Sequence, residues 1–177
     1  MAASLFLLLS VILAFTGGGA PWVTVATVAS ATIAGTRLPD LDTPLKLGHR
    51  SAVLHGVLPM LVALLDPRTW GVAAGLGFGI GLHLAADLFP GSMRGFATIK
   101  LPLFGSIGTA LSYGWIAANA AGNLLGGAVV LGQIADGAAL SGALLTVGVF
   151  GVFYLLRADG GWMALLLLGT IGWWWLG

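Results

Sequence analysis

The chain has 177 residues, of which 58% are hydrophobic and only 7% are charged, whereas a soluble globular domain carries about 25% charged residues. With a mean hydropathy of +1.02 and a net charge of +1, this composition excludes an ordinary soluble fold and predicts no nucleic-acid partner. The absence of cysteine excludes thiolate catalysis, disulfides and cysteine-ligated zinc.

Apolar runs separated by glycine, proline and charged residues predict a polytopic α-helical protein. Helices are the default for crossing lipid because each backbone polar group finds its partner within the segment. A retained first helix is favoured over a cleaved signal peptide, since no Lys or Arg precedes the first run. Because a full span needs about 20 residues and the first and third runs are shorter, we expect an all-α membrane protein with six to seven transmembrane segments. The runs are Ala3–Phe15, Trp22–Thr36, Ser51–Leu65, Trp70–Phe89, Ser112–Ile134, Ala138–Leu156 and Trp162–Leu176.

The chain is expected to form one integral membrane domain over residues 1–177. Its site core falls in residues 37–104, and residues 112–176 add transmembrane helices. With seven spans, six of the seven basic residues fall on one face, and only Arg68 falls on the other. By the positive-inside rule the face with six charges is cytoplasmic. The six are Arg37, Lys46, Arg50, Arg94, Lys100 and Arg157.

Four glycines alternate along the fourth apolar run, at Gly75, Gly77, Gly79 and Gly81. Small residues allow helix backbones to approach closely in lipid. We therefore expect the fourth segment to pack tightly against its neighbours.

Ionisable residues are concentrated in one part of the chain, because 13 of the 16 Asp, Lys, Arg and His residues lie from Arg37 to Lys100. Such groups are costly in a membrane and usually face a cavity. His83 and Asp87 are four residues apart, which places them on one helix face. On the expected topology, His55 lies at the same depth as His83. The sequence therefore predicts one shallow pocket at the cytoplasmic face that collects three histidines and three aspartates.

Imidazole and carboxylate ligands suit a divalent metal ion, with zinc first and manganese or iron as alternatives. The candidate ligands are Asp40, Asp42, His49, His55, His83 and Asp87. Three basic residues on the same face are candidates for binding a phosphate group, and these are Arg50, Arg94 and Lys100. Each group also has an ordinary structural interpretation. The aspartates are common turn residues, the histidines can serve helix packing, and the cations can simply set topology.

The order of these residues resembles the YdjM-like family of inner-membrane-associated metal-dependent hydrolases. The similarity covers Leu38–Asp42, Gly48–Ser51, His55 and Gly81–Pro90, together with Ile99–Leu103. The chain departs from the family pattern at Thr43, Leu54 and Gly56, where the family commonly has His, Thr and Ser. The resemblance implies a metal-dependent hydrolase of the bacterial inner membrane, and the loop charges place its site at the cytoplasmic face.

These patterns together predict a membrane-embedded metal-dependent hydrolase that acts on a phosphoester, either a small molecule or a lipid-linked headgroup. Asp42, as a further ligand or general base, and His49 are the candidate catalytic residues, and membrane lipids are the expected surroundings. The alternative is a non-catalytic scaffold or subunit whose metal or polar cluster holds helix ends together. The sequence leaves a homo-oligomer open. A transporter is disfavoured, since it needs ionisable residues deep in the membrane or at both faces.

Overall fold

The computed structural model describes residues 2–17 and 20–176, and this part of the chain is all-α. Seven α-helices follow one another, with one two-stranded antiparallel hairpin between the fourth and the fifth helix. The helices are α1 (Ala2–Thr16), α2 (Pro21–Gly35), α3 (Leu58–Ala63), α4 (Trp70–Asp87), α5 (Thr109–Ile134), α6 (Gly137–Leu155) and α7 (Gly161–Leu176), and the strands are β1 (Lys100–Leu101) and β2 (Gly105–Ser106).

Helix α4 is the centre of the bundle. Every residue from Val72 to Ala86 is buried, and the apolar stretch of α4 is 83% buried, against 33% for α5 and 28% for α6. Helices α2 and α5 flank α4, while α1 and α6 pack on α2. The outward faces of α5 and α6 carry exposed leucine, valine and phenylalanine side chains, as expected for surfaces that lie against lipid.

The alternating glycines of α4 allow neighbouring helices to pack closely on two opposite faces of α4. Residues four apart share a helix face, whereas residues two apart point in nearly opposite directions. A Cβ atom at Gly79 would overlap the carbonyl oxygen of Thr32 in α2, and one at Gly81 would lie 2.6 Å from Leu124 Cγ in α5. The expectation of tight packing through these glycines is confirmed.

Within residues 2–17 and 20–176, three helices are long and apolar enough to cross a membrane, namely the segment that ends with α4 (Pro67–Asp87), α5 and α6. The apolar helices α1, α2 and α7 are shorter. Since α4 has 18 residues, it measures about 27 Å, close to the thickness of a hydrocarbon core.

The predicted third segment, Ser51–Leu65, differs from the expectation of a continuous helix. Residues 51–57 form successive turns, and only the six residues of α3 are helical. Pro59 lies in the first turn of α3, where its missing N–H group costs no hydrogen bond. The structure buries only part of this apolar run, since Leu61, Val62 and Leu65 are exposed, and composition alone does not distinguish an irregular apolar segment from a helix.

Side chains of α5 supply hydrogen bonds that a helix would otherwise provide for residues 51–57. The Val57 N–H donates to Asn119 Oδ1 at 3.1 Å, and Asn123 Nδ2 donates to the Gly56 carbonyl at 3.3 Å. Trp115 Nε1 donates to the His55 carbonyl at 2.8 Å. Backbone groups that lack helical partners must be satisfied by other protein groups when they are buried, and α5 does so here.

Candidate metal centre

His83 and Asp87 lie in the last part of α4, on the face that looks toward the loop before α3. Their four-residue spacing places His83 Nε2 3.6 Å from Asp87 Oδ2. The His83 ring is 9% exposed, and Asp87 is half-buried. Helix α4 thus presents one nitrogen and one oxygen ligand atom side by side.

His55 reaches the same point from the turns before α3. Its Nε2 atom is 3.7 Å from Asp87 Oδ2, and its ring meets the His83 ring edge-on, with the centroids 5.6 Å apart. One ligand atom from each of His55, His83 and Asp87 lies within 4.8 Å of the other two. The structure therefore brings together three of the six predicted ligands into a group that could hold a metal ion.

Backbone carbonyl groups determine the tautomer of both histidines. His55 Nδ1 is 3.3 Å from the Ser51 carbonyl oxygen, and His83 Nδ1 is 3.1 Å from that of Thr36. A carbonyl oxygen only accepts, so each Nδ1 atom carries a proton and donates it. In a neutral ring with this tautomer, Nε2 carries the lone pair, and in both histidines Nε2 faces Asp87. Fixing a ring through its second nitrogen is the usual arrangement around metal-ligating histidine.

Asp87 has two oxygen atoms with different surroundings. Oδ1 accepts a hydrogen bond from Arg50 Nη2 at 2.7 Å. Oδ2, which faces the two Nε2 atoms, is buried and has no hydrogen-bond partner among the described residues. Buried polar atoms without partners are rare because each costs about 1–3 kcal/mol. Two imidazole nitrogens and a carboxylate oxygen that converge on one point fit a bound cation.

The spacings within the group are compatible with a divalent metal ion, for which zinc serves as the example. Zinc–nitrogen and zinc–oxygen bonds of about 2.0–2.1 Å in a tetrahedron separate neighbouring ligand atoms by about 3.3–3.4 Å. The 3.6 and 3.7 Å separations from Asp87 Oδ2 are close to this value, and the ligand atoms of the two histidines lie within 4.8 Å of each other. The donor set of two imidazoles and one carboxylate thus fits a divalent ion that keeps at least one position open.

Asp40 borders the group without joining it. It lies in a short 3-10 turn, Pro39–Asp42, directly after α2. Its Oδ1 atom is 4.0 Å from His83 Nε2, and its side chain is 56% exposed. A carboxylate at this distance lies between the metal group and the open side of the site.

Asp42, the predicted ligand and general base, occupies a different place. It is fully buried, and its Oδ2 atom accepts from the Ser51 N–H at 3.1 Å while Oδ1 accepts from Thr43 at 3.0 Å. Oδ2 is 3.7 Å from His55 Nδ1, the side of the ring that faces away from Asp87. Asp42 therefore positions the turn that carries His55 and lies outside the ligand group.

His49 also lies outside the group of three ligands. Its backbone carbonyl accepts a hydrogen bond from Lys100 Nζ at 2.8 Å, and the same ammonium donates to the Thr98 carbonyl at 3.0 Å. Partial burial lowers the pKa of Lys100 below its ordinary value. Lys100 thus links two loops, and β1 pairs with Ser51 through an isolated parallel bridge.

Arg50, predicted to bind phosphate, is buried and engaged within the protein. Besides its ion pair with Asp87, Nη1 donates to the Ala97 carbonyl at 2.8 Å. Arg50 has a φ angle of 57°, a left-handed conformation that a side chain other than glycine rarely adopts. The strain is tolerated because the resulting turn directs the guanidinium toward Asp87.

Replacing Arg50 by Met should weaken metal binding without removing a ligand. The variant leaves Asp87 Oδ1 without its charged partner, so the carboxylate is free to rotate away from the imidazoles. Loss of such an outer partner typically costs about 10–100-fold in metal affinity. Titration with a zinc-buffering chelator measures the effect. Unchanged affinity in Arg50→Met, with Lys46→Met as the matched surface control, would mean that Arg50 does not position Asp87.

A cavity of about 860 Å³ opens over the group, with His83, Asp87 and Asp40 in its lining. Its basic residues are Arg37 and Arg157, and none of the predicted phosphate-binding cations Arg50, Arg94 and Lys100 contributes to it.

Tyr154 also lines this cavity, and its hydroxyl group lies 3.2 Å from His83 Nδ1. Sequence reasoning missed Tyr154, because it lies 71 positions from His83 on an apolar helix. A tyrosine within one turn of the C-terminal end of that helix was the only available signal.

No family model matches the chain, and no curated protein or solved structure matches it either. The resemblance to the YdjM-like family therefore stays a prediction from the residues quoted above.

Proposed function

We propose that the protein is a membrane-embedded metal-dependent hydrolase that cleaves a phosphoester at the cytoplasmic face of a bacterial inner membrane. The similarity to the YdjM-like family supports this assignment. The observation that carries it is the convergence of His55 Nε2, His83 Nε2 and Asp87 Oδ2 on one point, next to a cavity large enough for a substrate.

The ligand set favours catalysis over a structural role. Structural zinc sites are closed by four protein ligands, whereas catalytic sites use three and keep a position open. The described residues provide three close ligand atoms, and the cavity lies on the remaining side. This argues against the alternative of a non-catalytic scaffold in which a metal ion holds helix ends together. Zinc is our first choice of ion, and iron or manganese are alternatives, since two histidines and one carboxylate also suit ferrous iron.

A divalent ion at this position would polarise a phosphoryl oxygen and lower the pKa of a water molecule. Asp40 is placed to accept the proton of that water, because its half-exposed carboxylate lies beside His83 at the cavity. In the proposed hydrolysis the water oxygen would bond to phosphorus and the ester P–O bond would break. The proton taken up by Asp40 would pass to the oxygen of the leaving group. The Thr36 carbonyl, which only accepts, keeps His83 in the ligating tautomer.

We propose seven membrane crossings, of which the third is interrupted. His55 lies beside Asp87 at the end of α4, and Thr69 directly precedes the start of α4, so residues 55–69 run the length of that helix. Arg68 stacks on the Phe15 ring of α1, 4.4 Å from its centroid, at the far end of the bundle. In this topology the metal group lies on the cytoplasmic side, with six of the seven basic residues.

Exchange of Asp40 for Asn should lower kcat while the metal stays bound. The amide keeps the size of the side chain but accepts no proton, and general base catalysis typically contributes about 10²–10⁴-fold. Turnover of para-nitrophenyl phosphate by zinc-loaded protein in detergent measures the effect, with elemental analysis of the same sample. Asp136→Asn, in the loop between α5 and α6, is the matched control. Full activity in Asp40→Asn would remove the proposed base, and loss of metal would make Asp40 a ligand instead.

A further inference from the structure

A second cavity, of about 470 Å³, lies between α2 and α6 and continues from the first. Ile33, Phe150 and Phe153 line both cavities. The second cavity, here called the α2–α6 groove, is bordered by Ala29, Thr32, Ile33, Leu145, Thr146, Val147, Val149, Phe150 and Phe153. A molecule that occupies the metal cavity can therefore extend along this groove.

The α2–α6 groove offers an occupant no free hydrogen-bond donor from its side chains. Its two hydroxyl groups are used within their own helices, since Thr32 Oγ1 donates to the Val28 carbonyl at 2.8 Å and Thr146 Oγ1 donates to the Gly142 carbonyl at 2.7 Å. The other lining side chains are apolar. The part of a ligand that lies here must be hydrocarbon.

The groove is open along its side. Leu145 is 69% exposed, Phe153 is 55% exposed and Val149 is 51% exposed. All three belong to α6, which is long and apolar enough to cross a membrane. In a bilayer the open side of the groove therefore faces lipid chains, so an occupant can enter laterally without passing through water.

Cationic side chains stand at the end of the groove nearest the metal group. Arg37 follows the C-terminal end of α2 and Arg157 follows that of α6, so both flank the helices that form the groove. Both residues are exposed and line the metal cavity, and neither makes an ion pair within the described ranges 2–17 and 20–176. Asp40 and Asp159 also border this cavity, so an anionic headgroup there depends on the two guanidinium groups.

We infer that the α2–α6 groove receives one acyl chain of a phosphate-bearing membrane lipid whose headgroup lies between Arg37 and Arg157, over His83 and Asp87. The inference rests on the proposed function for the claim that the lipid is hydrolysed. The predicted binding of the lipid in the groove does not depend on turnover. In this inference Arg37 and Arg157 bind the phosphate group, in place of the cations predicted from the sequence. Arg37 and Arg157 border the cavity, whereas Arg50 and Lys100 are committed to other contacts. Free phosphate would use the same cations but would not need the groove.

The test compares two probes on the full-length chain in detergent. Binding of dioleoyl phosphatidate and of glycerol 3-phosphate is measured by native mass spectrometry. Val149→Trp fills the groove, and Val152→Trp is the matched control, since Val152 is also exposed on α6 but lines neither cavity. Arg37→Gln/Arg157→Gln removes the headgroup contacts, with Lys46→Gln as its control.

Val149→Trp should weaken phosphatidate binding by at least about tenfold, while glycerol 3-phosphate binding and metal content stay unchanged. The double arginine variant should weaken binding of both probes by about 100-fold, because it removes two charged contacts and each is worth about a tenfold change. Equal phosphatidate binding in Val149→Trp and Val152→Trp would overturn the lipid groove. A dimer in the wild type that Val149→Trp dissociates would overturn it as well, by assigning the groove to a second copy of the chain. Binding in this pattern, without hydrolysis by the protein loaded with any of the metal ions, would support the lipid groove. It would contradict the proposed hydrolase function.

Discussion

The double variant His55→Ala/His83→Ala is expected to lose its metal ion and all phosphoester hydrolysis. The two substitutions remove two of three ligand atoms, so the loss should exceed the roughly 10–100-fold effect of removing an outer partner. The remaining carboxylate of Asp87 keeps its ion pair with Arg50. As a single ligand it should not retain a zinc, manganese or iron ion. Metal content and turnover of para-nitrophenyl phosphate are measured on the same preparation.

His49→Ala is the matched control for this variant. His49 is the third histidine of the chain, but it is not part of the ligand group. It should retain the metal. A His49→Ala variant that loses the metal as completely as the double variant would mean that the ligand group has been assigned to the wrong histidines.

Gly79→Ala is expected to destabilise the protein, although alanine is intrinsically the better helix former by about 1 kcal/mol. The added methyl group would overlap the Thr32 carbonyl and lie 2.8 Å from Gly35 Cα, so α2 and α4 must separate. Overpacking of this kind typically costs about 1–3 kcal/mol. For a chain of this size, each kcal/mol lowers the melting temperature by about 2–4 °C. Far-ultraviolet circular dichroism in detergent measures the shift.

Gly148→Ala in α6 is the control, because a Cβ atom there meets nothing within 4 Å. It should leave the melting temperature unchanged or raise it slightly. The separation of α2 from α4 should also weaken metal binding, since the Thr36 carbonyl that holds His83 directly follows α2. Equal melting temperatures for the two variants would contradict the close α2–α4 contact.

The helices were predictable to the extent that local pattern determines them. Apolar runs bounded by glycine, proline or charge gave α2, α4, α5 and α6 to within about three residues. The His83–Asp87 pair followed from helix periodicity alone. Residues 51–57 could not be predicted, because their backbone partners Asn119 and Asn123 lie more than 60 positions away.

The sequence was sufficient to predict the types of residue at the site, but not the role of each residue. His55, His83 and Asp87 were among the predicted ligands, and the structure brings these three together. Asp42 and Arg50 carry the right chemistry for the predicted roles, but both are buried and hold other groups in place. Which side of a ring or carboxylate faces the centre depends on tertiary contacts, and residue type carries no information on it.

Elemental analysis of the detergent-purified protein, with zinc, manganese and iron measured together, tests the metal centre most directly. The wild-type protein should contain one divalent ion per chain, and His55→Ala/His83→Ala prepared in parallel should contain none. Absence of metal from the wild type, even after reconstitution with each ion, would contradict the metal centre. The converging lone pairs of His55, His83 and Asp87 would then have to share a proton instead.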